Sequence, residues 1–405
     1  MRPTTLPDTR IGSAGEVFRT FLKLGLTSFG GPIAHLGYFR EELVVRRKWI
    51  DEAGYADLVA LCQFLPGPTS SQVGFSLGLL RAGPLGGLAA WMAFTLPSAI
   101  LLVLFAYGAA SLQGPIEAGL LHGLKLVAVA IVAQAVWGMA RTLAPDRERA
   151  SIAMIALVLV TLVAGAAGQV AAIVLGGAAG IWLCRNAPIT SIGHLTFPVS
   201  RRAGIVSLVL FFVLLLVLPA LAAVTSSHGL EIFNALYRSG ALVFGGGHVV
   251  LPLLQSAVVT PGWISPDAFL AGYGAAQAGP GPLFSFAAYL GAAMTAPPNG
   301  IAGATIGLVA LFLPGILILI GALPFWDALR TRPTAQAGMR GVNAAVVGLL
   351  GAALYNPIWV SAVEGPFDFA LAAIGFVMLT VWKSPPWVVV MLLGVGGAAS
   401  TMFHG

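Results

Sequence analysis

Residues Phe64–Gly74 read FLPGPTSSQVG. They fall inside an apolar segment, Tyr55–Leu80, long enough to cross a bilayer. Proline lacks an amide donor and its ring collides with the preceding helical turn, so Pro66 and Pro68 around Gly67 end one helix and start another. The flanking pieces, Tyr55–Leu65 and Thr69–Leu80, are each ~16–18 Å long, about half of a ~30 Å hydrocarbon core. Backbone released from a helix at membrane depth is stable only against protein or a water-filled space. The break therefore belongs to a re-entrant hairpin or to an interrupted span, and in both cases it lines a cavity.

The rest of the chain sets the context. Of 405 residues, 58% are hydrophobic and 9% charged, where soluble domains carry about a quarter charged residues. Apolar runs recur at Leu85–Phe105, Ile152–Leu183, Ile205–Val224 and Ile301–Leu323. They do not alternate as barrel strands do. The expected fold is an all-α polytopic membrane protein. Residues 1–17 are polar and carry no pattern of a cleavable leader. Cys62 and Cys184 show no ligand spacing, the histidines are scattered, and no P-loop is present. No cofactor, metal or nucleic-acid partner is expected. The acidic residues lie at segment ends and in loops, without the paired carboxylates of an intramembrane enzyme.

The broken segment occurs twice. FRTFLKLGLTSFGGP (Phe18–Pro32) resembles FNALYRSGALVFGGG (Phe233–Gly247), matching Lys23 with Arg238, Gly25 with Gly240 and Phe29 with Phe244. Trp49 then matches Trp263, Gln63 matches Gln277, and Pro66–Pro68 matches Pro280–Pro282. After a small insertion Pro97 matches Pro314, and His122–Ala130 matches Arg340–Gly348. The expected organisation is a cytoplasmic tail (1–17), a first repeat (18–184), a linker with a connecting helix (185–228), and a second repeat (229–405).

Charge suggests how the breaks are threaded. Of 21 Lys and Arg, all but Lys23, Lys125 and Arg238 flank the apolar segments. With thirteen full spans, Arg40, Arg46, Arg47 and Lys48 fall opposite the other basic loops, against the positive-inside rule. With nine spans and four hairpins, two per half, every flanking cation lies on the cytoplasmic side. The second count is preferred and the first stays open. Both place an odd number of crossings between the halves, so the second repeat is expected to be inverted, as in many transporters with a midplane site.

A half-helix that starts at a break presents free N–H groups and a partial positive charge, which suits an anion. Ser28, Gly30, Gly31, Gly67, Thr69, Ser70 and Ser71 of the first half are candidate ligands. Gly245, Gly246, Gly247, His248, Gly281 and Ser285 are their counterparts in the second half. Leu283 and Phe284 replace two hydroxyls there, so the site is expected to be asymmetric. Lys23 and Arg238, ~9 Å along the helix from each break, are candidates for attracting a divalent anion. Gln63 and Gln277 precede the breaks and are candidates for orienting a loop or donating to an oxygen. His35, Lys125 and Asn343 are candidates for coupling or gating, a histidine being able to carry a proton.

SFGGP, the charged stretch ending in RRKWI, FLPGPTSSQVG, VFGGGHVVLPLL and AQAGPGPLFSFAAYLG together resemble the chromate ion transporter family, in its long two-module form, over roughly Phe18–Phe403. The resemblance implies export of chromate from the bacterial cytoplasm across the inner membrane, with the N-terminus inside, and chromate resistance. Sulfate is a close mimic, and a passive anion channel on the same scaffold stays open. The sequence leaves coupling to a proton or a counter-anion open, and both a monomer and a homodimer are compatible with two modules in one chain.

Overall fold

A computed structural model describes residues 12–111, 114–163, 165–185, 197–244, 249–326, 328 and 332–404. Among these residues the chain is all helix and turn, with no strand. Helices α1 (Ala14–Thr27), α2 (Gly31–Phe39, continued by a π-helical Arg40–Arg46) and α3 (Glu52–Phe64) are short, and α4 (Thr69–Ser111) is long and bends at Ala82–Gly83. Then follow α5 (Pro115–Leu143), α6 (Arg147–Leu162), α7 (Ala166–Leu183) and α8 (Arg201–Val224). The second half begins with α9 (His228–Ala241), α10 (Val250–Val258), α11 (Pro266–Ala278) and α12 (Phe286–Ala293). It ends with α13 (Gly300–Ala322), α14 (Pro333–Ala353), α15 (Pro366–Thr380) and α16 (Pro386–His404).

Local sequence explains the starts. Ser13, Asp51, Asp146, Ser200 and Ser265 each accept an N–H from the first turn of the helix that follows. Among the described residues five helical segments are long and apolar enough to cross a membrane: Thr69–Ala109, Ala118–Leu143, Arg201–Val224, Gly300–Phe325 and Pro333–Ala362; the first is two helices joined at the non-helical Ala82–Gly83, where Gly78 packs against the Gly86 carbonyl. Many of their large side chains face outward, among them Leu104, Val206, Leu216 and Ile301. Leaving each of these in water would forfeit ~1.5–3 kcal/mol, so this outer shell is a bilayer-facing surface. The protein is a multi-pass membrane protein.

The interior is closed by small residues, because hydrocarbon gives helices little drive to associate beyond close backbone contact. A Cβ on Gly341 of α14 would lie 2.0 Å from the Gly176 carbonyl of α7. Gly25 of α1 meets the carbonyls of Ala93 and Phe94 on α4, and the matched Gly240 of α9 meets the Leu311 carbonyl on α13. The two halves thus repeat one contact at corresponding positions.

The helices stop where the Gly-Pro motifs stand. Gly30, Gly31, Gly67 and Gly281 have φ of 97°, 78°, 124° and 90°, which side chains with a Cβ rarely adopt. The pieces around these breaks, α1, α2, α3, α9, α10, α11 and α12, contain 8 to 14 residues each. At ~1.5 Å per residue none spans a hydrocarbon core alone. The break expected at Gly245, Gly246, Gly247 and His248 lies outside the described residues.

Candidate functional site

Backbone hydrogen bonds tie the Pro-Gly-Pro turn of each half to the residues just before the Gly-Gly break of the other half. The Gly67 N–H donates to the Val243 carbonyl at 2.7 Å, and the Gly281 N–H donates to the Ser28 carbonyl at 2.9 Å. Gly67 matches Gly281 in the repeat and Val243 matches Ser28, so each half hands one carbonyl to the other half's Pro-Gly-Pro turn. Both glycines are also pressed from behind. A Cβ on Gly67 would lie 3.0 Å from Gly315 Cα, and one on Gly281 would lie 2.8 Å from Ser98 Oγ.

A polar seam runs from this junction. The His35 Nδ1 lies 3.4 Å from Ser70 Oγ, and the same ring lies beside the Ser28 carbonyl. Ser98 Oγ donates to Ser285 Oγ at 2.7 Å, and both hydroxyls reach the Thr95 carbonyl. Gln72 Nε2 donates to the carbonyls of Pro66 and Gly315, each at 2.9 Å. Ser28, His35, Thr69, Ser70, Ser71, Gln72, Thr95, Ser98 and Ser285 are all buried.

Donors remain unused along the seam. Within α4 the first N–H to find a carbonyl is that of Gln72, which donates to Pro68. The N–H groups of Thr69, Ser70 and Ser71 precede it, point out of the helix end and meet no carbonyl among the described residues. Among the described residues, Ser28 Oγ, His35 Nε2, Ser71 Oγ, Gln72 Oε1, Ser76 Oγ and Thr95 Oγ1 are buried without a partner. Native interiors rarely leave such groups unmatched, and each costs ~1–3 kcal/mol when it stays so. Gly67 and Gly281 themselves hold the turns, since their N–H groups are already engaged; the open donors start at Thr69.

The cations lie away from the seam. Lys23 is exposed and its Nζ pairs with Glu42 at 3.2 Å. Glu42 also receives Arg47 at 2.9 Å and Arg46 at 3.7 Å, and Trp49 lies under the guanidinium groups of Arg47 and Arg81. Glu16 pairs with Arg81, and Arg40 with Glu52. Arg238 is exposed on α9. Lys125 is buried and reaches Asp267 at 3.0 Å and the Ser361 carbonyl, while the matched Asn343 keeps a buried, unpartnered Oδ1. Gln63 is exposed, and among the described residues Gln277 Nε2 is buried without a partner. The structure therefore brings together Ser28, Gly67, Ser70, His35, Gly281 and Ser285, and sets Lys23, Arg238, Lys125 and Gln63 apart from them.

Sequence reading missed Gln72, Thr95 and Ser98. Gln72 stands within FLPGPTSSQVG, but its repeat partner is Phe286, so the repeat gave no signal for it. Ser98 follows Pro97, which the repeat did mark.

The family described as Chromate transporter matches residues 15–181 and matches again at 230–398. A "Chromate transport protein" of Pseudomonas aeruginosa is 28% identical over 96% of this chain and 92% of its own. A "Probable chromate transport protein" of Synechococcus elongatus is 28% identical over 95% of each chain. A "Chromate transport protein" of Cupriavidus metallidurans is 26% identical over 95% of this chain and 92% of its own. No solved structure matches the chain.

Proposed function

We propose that this chain, which belongs to the chromate transporter family, is a secondary transporter that exports chromate from the cytoplasm and so confers chromate resistance. The observation that carries this reading is the row of open N–H groups at Thr69–Ser71 beside the unpartnered Ser28 and Ser71 hydroxyls. Uncharged donors arranged around helix N-termini stabilise a dehydrated oxyanion without an adjacent cation. The relatives' names supply chromate; the donors suit any tetrahedral dianion, sulfate included.

In this reading the two modules are inverted repeats, and the reciprocal Gly67–Val243 and Gly281–Ser28 bonds are what a twofold relation between them produces. Alternating access then rocks the halves about this junction. The Glu16, Glu42, Arg46, Arg47 and Arg81 network sits at the cytoplasmic mouth of an inner-membrane protein, with the N-terminus inside. Lys23 and Arg238 draw the anion toward the breaks by their field. Export of a dianion is electrically favourable by roughly 2.3 kcal/mol per charge per 100 mV, inside negative. His35, one bond from Ser70, is the group placed to exchange a proton with the site, with Lys125 and Asn343 acting at the gates.

Flux by purified protein in vesicles tests this. Chromate, sulfate, molybdate and phosphate are compared under imposed pH and anion gradients. Saturable movement of the tetrahedral dianions is expected; failure to move any oxyanion rejects the proposal, and large unitary currents in place of saturable flux favour a channel.

A further inference from the structure

A cavity of about 430 Å³ opens between α4, α5, α11 and α16, behind the Gly279–Pro282 turn. Its walls are apolar apart from Ser98, and its mouth is framed by Leu101, Leu120, Met391 and Val395, all exposed on the outer, bilayer-facing shell. The repeat explains why it is there. Ala275, Ala278 and Gly279 on its wall match Leu61, Phe64 and Leu65 in the first half. There the larger side chains occupy the corresponding space: Leu61 and Leu65 are buried beside Leu319 and Trp326, and the Phe64 and Trp326 rings lie 5.7 Å apart. One half fills this position with its own side chains, and the other truncates them and leaves it open to the membrane.

We propose that this cavity is a binding site for one acyl chain of a bilayer phospholipid. Apolar space of this size that communicates with hydrocarbon gains dispersion contacts when a tail enters and loses them when it stays empty. Water finds no partners there. A bound tail would rest against Ser98, whose hydroxyl is bonded to Ser285, and against Pro280 and Pro282 on either side of Gly281. Lipid composition would thereby act on the second-half break from behind.

The test is photolabelling of the full chain, reconstituted in phosphatidylglycerol vesicles containing a phospholipid with a photoreactive group at one acyl terminus. Adducts are mapped by mass spectrometry. The first variant is the double substitution Ala278→Phe with Gly279→Leu, which restores the first-half residues; a Cβ on Gly279 meets nothing closer than 3.9 Å. The second variant, Val395→Trp, narrows the mouth from outside and decides the matter if the first does not fold. Adducts on residues 101–105 and 275–279 should exceed those on the exposed α8 surface around Val206 and Leu216. They should be lost in the variants while the α8 adducts persist. Wall adducts no denser than those on α8, or unchanged in a folded variant, overturn the proposal.

Discussion

The N–H of Gly67 donates to the carbonyl of Val243 at 2.7 Å, and the matched pair, Gly281 to Ser28, does the same at 2.9 Å. The Pro-Gly-Pro turn of each half is thus held by the turn that opens the other half. Among the described residues these two bonds join the breaks of one half to those of the other.

Gly67→Ala should be markedly destabilising. Its φ of 124° is foreign to alanine, and the new Cβ would press on Gly315 Cα at 3.0 Å. A left-handed backbone alone costs ~1–2 kcal/mol. Gly83→Ala provides the comparison, since Gly83 also has positive φ but a Cβ there meets nothing within 4 Å. Thermal unfolding in detergent should therefore show a larger loss for Gly67→Ala than for Gly83→Ala.

The Ser98–Ser285 bond should behave as a coupled pair. Each single alanine variant leaves a buried hydroxyl with its best partner gone, a cost of ~1–3 kcal/mol, whereas removing both partners spares that cost. A double-mutant cycle on unfolding midpoints should find the double variant no worse than the sum of the singles, and closer to either one alone.

The breaks were legible in the sequence because Gly and Pro act through the chain's own dihedrals: Gly30, Gly31, Gly67 and Gly281 stand where the helices stop. The all-helical membrane fold was legible for the same kind of reason, from apolar runs of spanning length. The junction was not. A backbone N–H from Gly67 to a carbonyl of Val243 involves no particular side chain at Val243, so composition carries no trace of it. Lys23 shows the limit for charges. Its depth in an apolar helix was visible, but its pairing with Glu42 depends on how the chain folds back through α2. Gln72 lies in FLPGPTSSQVG and was hidden by Phe286 at its repeat position.

Lys23→Ala and Arg238→Ala should raise the KM for oxyanion transport while leaving folded protein in the membrane. Both side chains are exposed, so their effect is that of a screened field, and it should shrink as ionic strength rises. Flux measured at low and high salt checks this. Unchanged flux for both variants at low salt would remove the steering role.

His35 sits between Ser70 and the Ser28 carbonyl with Nε2 unpartnered. His35→Gln keeps a polar side chain able to reach Ser70 but cannot titrate. If His35 carries the coupled proton, His35→Gln should transport under an anion gradient yet no longer respond to an imposed pH gradient. A pH response equal to that of the unsubstituted protein would assign His35 a purely structural part.

Equilibrium binding measures most directly the proposed hold of the start of α4 on an oxyanion. Chromate and sulfate should bind the purified protein saturably in detergent. The double substitution Ser70→Ala with Ser71→Ala should weaken both by about tenfold or more, since hydrogen bonds to a charged group contribute ~1.5–3 kcal/mol each. Gln63→Ala, at an exposed position outside the seam, should leave affinity unchanged. Undiminished affinity in a folded Ser70→Ala, Ser71→Ala protein would contradict the account.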